Sequence, residues 1–490
     1  MPVWELVRWF KVCCGRWSGN KRWLWGIAGP VRVAAPIAAL IGAIGLSKHA
    51  TDKCSFPSRF ATAAAAGEIF FPQRSALKLD NHECSPAILN KVVTAGGEFS
   101  SFARAANMLE VLADVTISPM QVLRLTQEVG QELAAARDEA ARRHQRRELP
   151  SSADSPVPIA CVEMDGGRMR TRAEGHSTGV FDPQWKETKV ACLWRMEGED
   201  FEDDPHPEPP KCFTDATRVQ RLVRQIKNSG SPHEDRPKEP APAEPGPARH
   251  RRKRKERLWP PKRIFRTCVA SMRDVHEFGP LVAAEAQRRG FYEAGRQVFL
   301  GDGDHKNWTV QKVHFPHFTP VTDFVHVVSY VYQAAGAVTS SFAAQWEQYQ
   351  AWLRDCWQGR TSQVVRELQQ WQERLGIVKV SELEDLDEAD PRRIVSRTLT
   401  YLENNQDRMR YPEYRSRGLP VTSSLVESLI KQFNQRVKGT EKFWTRPEKA
   451  EAILQVRAAL LSDDDRLRTH IVNRPGRSTR RRPSSPSSQK

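Results

Sequence analysis

The chain has 490 residues, 39% of them hydrophobic, and a formal net charge of +16. That length allows two to four domains with a sizeable core, and a basic excess of this size selects a polyanionic partner, nucleic acid before an anionic membrane. The nine cysteines are scattered and show no C-x-x-C spacing, which argues against a disulfide framework or a zinc ribbon and fits a reducing compartment.

Residues 1–60 read as an atypical extension. The apolar stretch 23–46 is broken by Pro30, Arg32 and Pro36, and its charge-free part, Val33 to Leu46, is shorter than the ~20 residues that span a bilayer. The basic run before it is too long for a signal peptide, and no A-x-A site follows. Two readings stay open: a membrane segment, or a piece foreign to the fold. Residues 61–150 read as a helical DNA-binding region. Phe99, Phe102, Ala106, Leu109 and Leu112 recur at helical spacing. D-V-T-I interrupts them, and S-P-M-Q (118–121) restarts a helix, with Ser118 as N-cap, Pro119 at the first position and Gln121 closing a capping box. Val122, Leu125, Val129 and Leu133 continue its apolar stripe. Two helices about a short turn read as a helix-turn-helix whose second helix, 119–135, enters a major groove, or as an ordinary helical hairpin.

The charged stretch 136–148 and S-S-A-D-S-P-V-P (151–158) read as a domain boundary. Strands follow at 159–165 and 188–196, the second preceded by W-K-E (185–187). Residues 198–257 are rich in Pro and charge, cannot bury much, and read as a disordered or extended insertion. Their end, 249–257, is R-H-R-R-K-R-K-E-R. Strands resume at 263–272, 296–304 and 318–323, with a helix over 278–289. From 327 to 420 the pattern is helical and carries Trp346, Trp352, Trp357 and Trp371, each best read as core. Residues 421–465 are helical too, and 466–490 form a basic tail with R-S-T-R-R-R at 477–482. The fold class is α/β: a mixed five-stranded sheet over 151–197 and 258–326, its first three strands an antiparallel meander and its later strands parallel.

Three strands end in an aspartate. I-A-C-V-E-M-D-G-G-R ends in Asp165, F-L-G-D-G-D in Asp302, and F-T-P-V-T-D in Asp323, with His326 three residues on. Asp165-Gly166 also fits a hairpin turn. Asp304 is an alternative to Asp302, which is preferred because it directly follows the apolar run. Asp323 also fits a helix cap. In 422–439, Val426, Ile430, Phe433 and Val437 form an apolar stripe, and Glu427, Lys431 and Asn434 share the neighbouring face. Glu427 also closes a capping box with Ser424. Carboxylates at strand ends and on a packed helix suit Mg²⁺ or Mn²⁺, which take carboxylate, water and phosphate oxygens.

At M-D-G-G-R (164–168), W-K-E-T-K-V (185–190), L-G-D-G (300–303), D-F-V-H (323–326), 423–444 and 450–464 the chain resembles DDE transposases of bacterial insertion sequences, most of all the ISKra-type group. The resemblance spans roughly 95–465. It implies an RNase H-like sheet with an all-α insertion at 327–420, a metal-binding triad of Asp165, Asp302 and Glu427, and support from Asp323 and His326. It implies DNA contacts from Lys431, Asn434, Arg436 and Lys438, and Mg²⁺ or Mn²⁺ as the only cofactor. The expected partners are the terminal inverted repeats and target DNA, in an oligomer that pairs two ends inside a bacterial cell. The rival is an inactive or repurposed DNA-binding protein of the same descent.

Overall fold

The computed structural model describes residues 61–62, 69–70, 84–151, 156–171, 184–230, 259–378, 380–383, 385–422, 432–437, 444 and 447–474. The chain divides into two units, 1–72 and 73–490. In the first, Ala61–Thr62 pairs antiparallel with Ile69–Phe70. The apolar stretch 23–46 lies outside the described residues, and no described helix is long and apolar enough to cross a membrane.

The second unit is α/β, built on a five-stranded mixed sheet. Its strands are β1 (Ile159–Thr171), β2 (Gln184–Glu197), β3 (Lys262–Ser271), β4 (Arg296–Gly301) and β5 (Thr319–Thr322). The order is β3-β2-β1-β4-β5. β1, β2 and β3 pair antiparallel, while β4 runs parallel to β1 and β5 parallel to β4. The antiparallel start and parallel continuation match the expectation from connection lengths, because a parallel neighbour needs a crossover.

The helices before the sheet are α1 (Pro86–Glu98), α2 (Phe102–Ala113) and α3 (Pro119–Gln145). Between strands come α4 (Ala216–Gly230), α5 (Val275–Arg288) and α6 (His305–His314). After β5 follow α7 (Phe324–Val338), α8 (Phe342–Trp357), α9 (Thr361–Leu375), α10 (Pro391–Asn405) and α11 (Tyr411–Ser416). A helical turn at 432–437 precedes α12 (Pro447–Leu461) and α13 (Arg466–Val472).

Alternation along the strands builds two cores. Ile159, Cys161, Val298, Leu300 and Val321 face the side covered by α7 to α10, where Trp352 and Trp357 are fully buried. Ala160, Val162, Leu193 and Phe299 face α5 and α6. A third cluster joins α1, α2 and α3 to Val456 and Ala459 of α12.

Helix α3 begins as its sequence dictates. The Ser118 Oγ accepts from the Gln121 N–H at 3.2 Å, and the Gln121 Oε1 accepts from the Ser118 N–H at 3.3 Å. It does not stop near 135, however. The charged stretch continues the helix to Gln145, so most of it is a strut and not a linker. Arg137 explains this, because its Nη1 donates to the Ala270 carbonyl at 3.0 Å and to Glu451 at 2.6 Å. The N-terminal part of the region also differs from expectation. Phe99 is the C-cap of α1, a helix the spacing missed, and Leu112 is 75% exposed beside the α2–α3 turn.

The insertion after β2 is ordered where it is described. Phe213, Val219 and Val223 are buried in the main core. The composition misleads here because the anchors come from far along the chain. Arg415 Nε donates to Asp204 at 2.7 Å, Trp357 Nε1 to the His206 carbonyl at 2.8 Å, and the Tyr349 hydroxyl to the Phe213 carbonyl at 2.9 Å. Residues 231–258 lie outside the described residues.

The open edge of the sheet is covered by α12 and the residues that follow it. Gln455 Nε2 donates to the Ala270 carbonyl at 2.7 Å, the Ser462 hydroxyl accepts from the Cys268 N–H at 3.0 Å, and Asp463 accepts from the Arg266 N–H at 2.8 Å. These bonds use the backbone groups that an exposed edge strand would offer to another chain. Helix α12 crosses α3 at Gly130, where an added Cβ would lie 2.1 Å from the Ala452 carbonyl oxygen. Gly130→Ala is therefore expected to destabilise the protein by about 1–3 kcal/mol, the usual cost of overpacking. Chemical denaturation measures this, and an unchanged midpoint would mean that the helices do not cross at this point.

Candidate active site at the strand ends

The parallel register decides the site. The parallel pairing of β1 and β4 ends with Glu163 opposite Leu300, and both strands reach an aspartate two residues later, Asp165 and Asp302. Gly301 pairs with Thr322, so Asp302 and Asp323 follow together, and the Asp323 N–H donates to the Gly301 carbonyl at 2.8 Å. Adjacent strands lie about 4.8 Å apart. Three aspartates thus leave three neighbouring parallel strands at one level. In an open α/β sheet this is the end where ligands bind.

Asp165 is not in a turn. β1 passes straight through Gly166 and Gly167 and stays paired with β2 as far as Thr171. The Asp165 Oδ1 accepts from the Gly166 N–H at 2.6 Å. The two glycines differ in their reasons. A Cβ on Gly167 would sit 2.8 Å from the Thr188 hydroxyl, whereas one on Gly166 meets nothing nearer than 3.6 Å. By alternation Gly167 shares the face of Asp165 and is closely packed there, while the open position at Gly166 lies on the opposite face.

The choice between Asp302 and Asp304 has a structural answer. Asp304 is the N-cap of α6, accepting from the Lys306 N–H at 2.8 Å. Asp302 holds the level of Asp165 and is braced. Its Oδ1 accepts from Asn307 Nδ2 at 2.8 Å and the Asp304 N–H at 2.9 Å, and the Tyr401 hydroxyl donates to its carbonyl at 3.0 Å. Asn405 links this brace to α6 by accepting from Trp308 Nε1 at 2.9 Å. Sequence reading missed Asn307, Tyr401 and Asn405. Asn307 had a signal, five residues after Asp302 at a helix start. Tyr401 and Asn405 had none, since a separate helix brings them.

Asp323 is fully buried, and it caps α7 by accepting from the Val325 N–H at 3.2 Å. Its other oxygen meets His326 Nδ1 at 2.8 Å. Both expected roles, cap and partner of His326, are thus filled by one carboxylate. Burial pulls the His326 pKa down, but the hydrogen bond to Asp323 and the negative charges of Asp323, Asp302 and Asp165 outweigh it and hold the imidazole up at about 9. An imidazolium beside three carboxylates offsets part of their mutual repulsion.

Glu163 is a further acid that sequence reading left in the apolar run. It lies on the Asp165 face of β1, buried, with Oε2 accepting from Trp194 Nε1 at 2.9 Å. Oε1 has no hydrogen-bond partner among the described residues. Burial first, then the charges of Asp323 and Asp165, push its pKa up to about 8 against the opposing pull of Trp194 and Arg263. At neutral pH the carboxyl is mostly protonated.

Of the residues expected from the 422–439 helix, Glu427, Lys431 and Lys438 lie outside the described residues. Phe433 and Val437 are buried in the core on the aspartate side of the sheet, as their stripe required. Asn434 reaches the strand end, with its Oδ1 3.7 Å from where a Gly167 Cβ would stand. Arg436 needs correction as a DNA contact. It is 2% exposed, its Nε donates to the Gly96 carbonyl at 2.8 Å, and its guanidinium stacks over Phe102 at 4.4 Å. Burial, with Arg457 nearby, lowers its pKa to about 10. It fastens the 432–437 turn to α1 and α2.

The donors at the strand ends are carboxylate oxygens, which fit a hard divalent cation. Among the described residues no three carboxylate, imidazole or thiolate groups form a metal cage by themselves. No known protein-family profile matches the chain, and no curated protein matches it.

Two outcomes test this geometry. In the metal-free protein the His326 imidazole should titrate near 9 by NMR, so the stability it supplies is complete below pH ~6.5 and is lost as pH rises through ~9. Titration near 6.5 would show that the aspartates do not surround it. Arg436→Ala should cost about 1–3 kcal/mol of stability through the stranded carbonyl, read by chemical denaturation, and an unchanged midpoint would show that Arg436 does not fasten the 432–437 turn.

Proposed function

We propose that this chain is a DDE-type transposase with an RNase H-like core, cutting and joining DNA at the ends of an insertion sequence. The observation that carries the reading is the alignment of Asp165, Asp302 and Asp323 at one level, where the parallel pairing of three adjacent strands ends. The sheet order β3-β2-β1-β4-β5 with an antiparallel β2 is what an RNase H-like sheet requires. The helical layer over 327–420 stands where the all-α insertion is expected, after the third aspartate.

Asp165 and Asp302 would hold the metal, and Glu427 would complete the set from the face that Asn434 marks. A bound Mg²⁺ or Mn²⁺ would lower the pKa of a coordinated water and offset charge on a transferring phosphoryl group. Asn307 and the Asp304 N–H fix the Asp302 carboxylate, so it meets its ligand without reorganising. His326 and Asp323 set the local charge and keep the strand end rigid. Lys431, Asn434 and Lys438 would contact phosphates. Hydrolysis of one phosphodiester leaves a 3′-hydroxyl at the transposon end, and attack by that oxygen on a phosphate of target DNA releases a second 3′-hydroxyl. Two ends must be held at once, which calls for an oligomer of this chain.

The test is nicking of a duplex that carries the inverted repeats flanking the gene, with Mg²⁺ or Mn²⁺. Asp165→Ala, Asp302→Ala and Glu427→Ala should each lower the rate at least about a hundredfold, the loss produced even by removing an outer partner of a metal ligand. Asp304→Ala should not. Binding of the repeats without nicking in the unaltered protein would favour a repurposed DNA-binding protein.

A further inference from the structure

Helix α4 has one apolar side and one cationic side. Val219 and Val223 are buried, and Leu222 and Ile226 pack against the same core. Arg218, Arg221 and Arg224 are exposed. The helix sequence A-T-R-V-Q-R-L-V-R-Q-I-K-N-S-G holds no acidic residue, and Lys227 continues the three-residue spacing. Several other arginines at the surface are paired with carboxylates: Arg142 with Glu139, Arg273 with Asp138, Arg360 with Asp355, Arg392 with Asp390. Among the described residues no carboxylate forms an ion pair with Arg218, Arg221 or Arg224. The nearby Asp215 accepts from the backbone N–H of Arg218 instead. Like charges at this spacing oppose each other along a helix, so the row weakens its own helix and has no compensating ion pair among the described residues.

We propose that α4 is a DNA-backbone clamp, with Arg218, Arg221 and Arg224 contacting successive phosphates. The proposal rests on DNA as the partner and is independent of cleavage. Three features select DNA. The planar guanidinium forks match phosphate oxygens. The row spans about 9 Å of helix axis at 1.5 Å per residue, enough to follow a phosphate strand. A membrane-seated amphipathic helix would need its apolar face, and here the core has taken it. The position fits as well. Phe213, just before α4, packs on Phe324 with ring centroids 5.5 Å apart, and Phe324 follows Asp323 directly. The clamp therefore sits on the side of the sheet that carries the aspartates.

The experiment measures binding of the full chain to a random-sequence duplex by fluorescence anisotropy, between about 50 and 200 mM salt. The triple variant R218Q/R221Q/R224Q should make the log–log salt slope shallower by about 2–3 and weaken binding on the order of 10²-fold at 0.1 M salt. The triple lysine variant should keep most of the slope. Nicking is read separately: an unaltered chain that shows no nicking while the α4 variants still change the salt slope overturns only the catalytic reading. An unchanged slope in a triple glutamine variant that melts normally overturns the clamp. If that variant fails to fold, R218Q, R221Q and R224Q singly should each remove about one unit of slope, and three unchanged slopes overturn it. Loss of binding to phosphatidylserine-rich vesicles with DNA binding intact would overturn it in favour of a lipid surface.

Discussion

Parallel pairing of β1, β4 and β5 is the constraint on which the rest depends. The parallel ladders end at one level, and there each of the three strands carries an aspartate, β1 continuing beyond it along β2 alone. One residue of slip in either ladder would send its carboxylate to the opposite face. The register is held by apolar side chains that are buried on both faces, Val298 and Leu300 on one side, Phe299 on the other. The acidic cluster is thus positioned by hydrophobic packing beneath it.

Gathering carboxylates has an electrostatic cost, and the surroundings answer it locally. Asp323 shares its charge with His326 and the start of α7, Asp302 is met by Asn307 and a backbone N–H, and Glu163 is held mostly protonated by burial. These solutions differ because exposure differs. The buried groups need a partner or a proton, while Asp165 and Asp302 keep partial contact with solvent. A site of this kind is preloaded with negative charge on its open side and supported on its closed side.

The N- and C-terminal helices act as one clasp. Arg137 on α3 ties to Glu451 on α12 and to the edge strand, Arg436 ties the 432–437 turn to α1, and Gly130 lets α3 and α12 touch backbone to side. A region that reads by itself as a small DNA-binding module is therefore continuous with the sheet. Its long third helix spends its buried face on the core, and its exposed residues run along the other face from Met120 to Gln145.

The local signals were enough for strands, caps and the aspartates. Apolar runs located the five strands, the capping box fixed the start of α3, and an apolar run closing on Asp marked the ends of β4 and β5, while β1 runs six residues past Asp165 because β2 keeps pairing with it. What the sequence did not carry were facts that join distant positions. The brace of Tyr401 and Asn405 on Asp302, the burial of Arg436 and the ordering of 199–215 by Arg415, Trp357 and Tyr349 all depend on contacts between residues roughly one hundred or more positions apart. Periodicity and composition report what a segment can bury on its own. Which groove receives it, and which polar atom meets it there, is settled only when the sheet and helices close around one another.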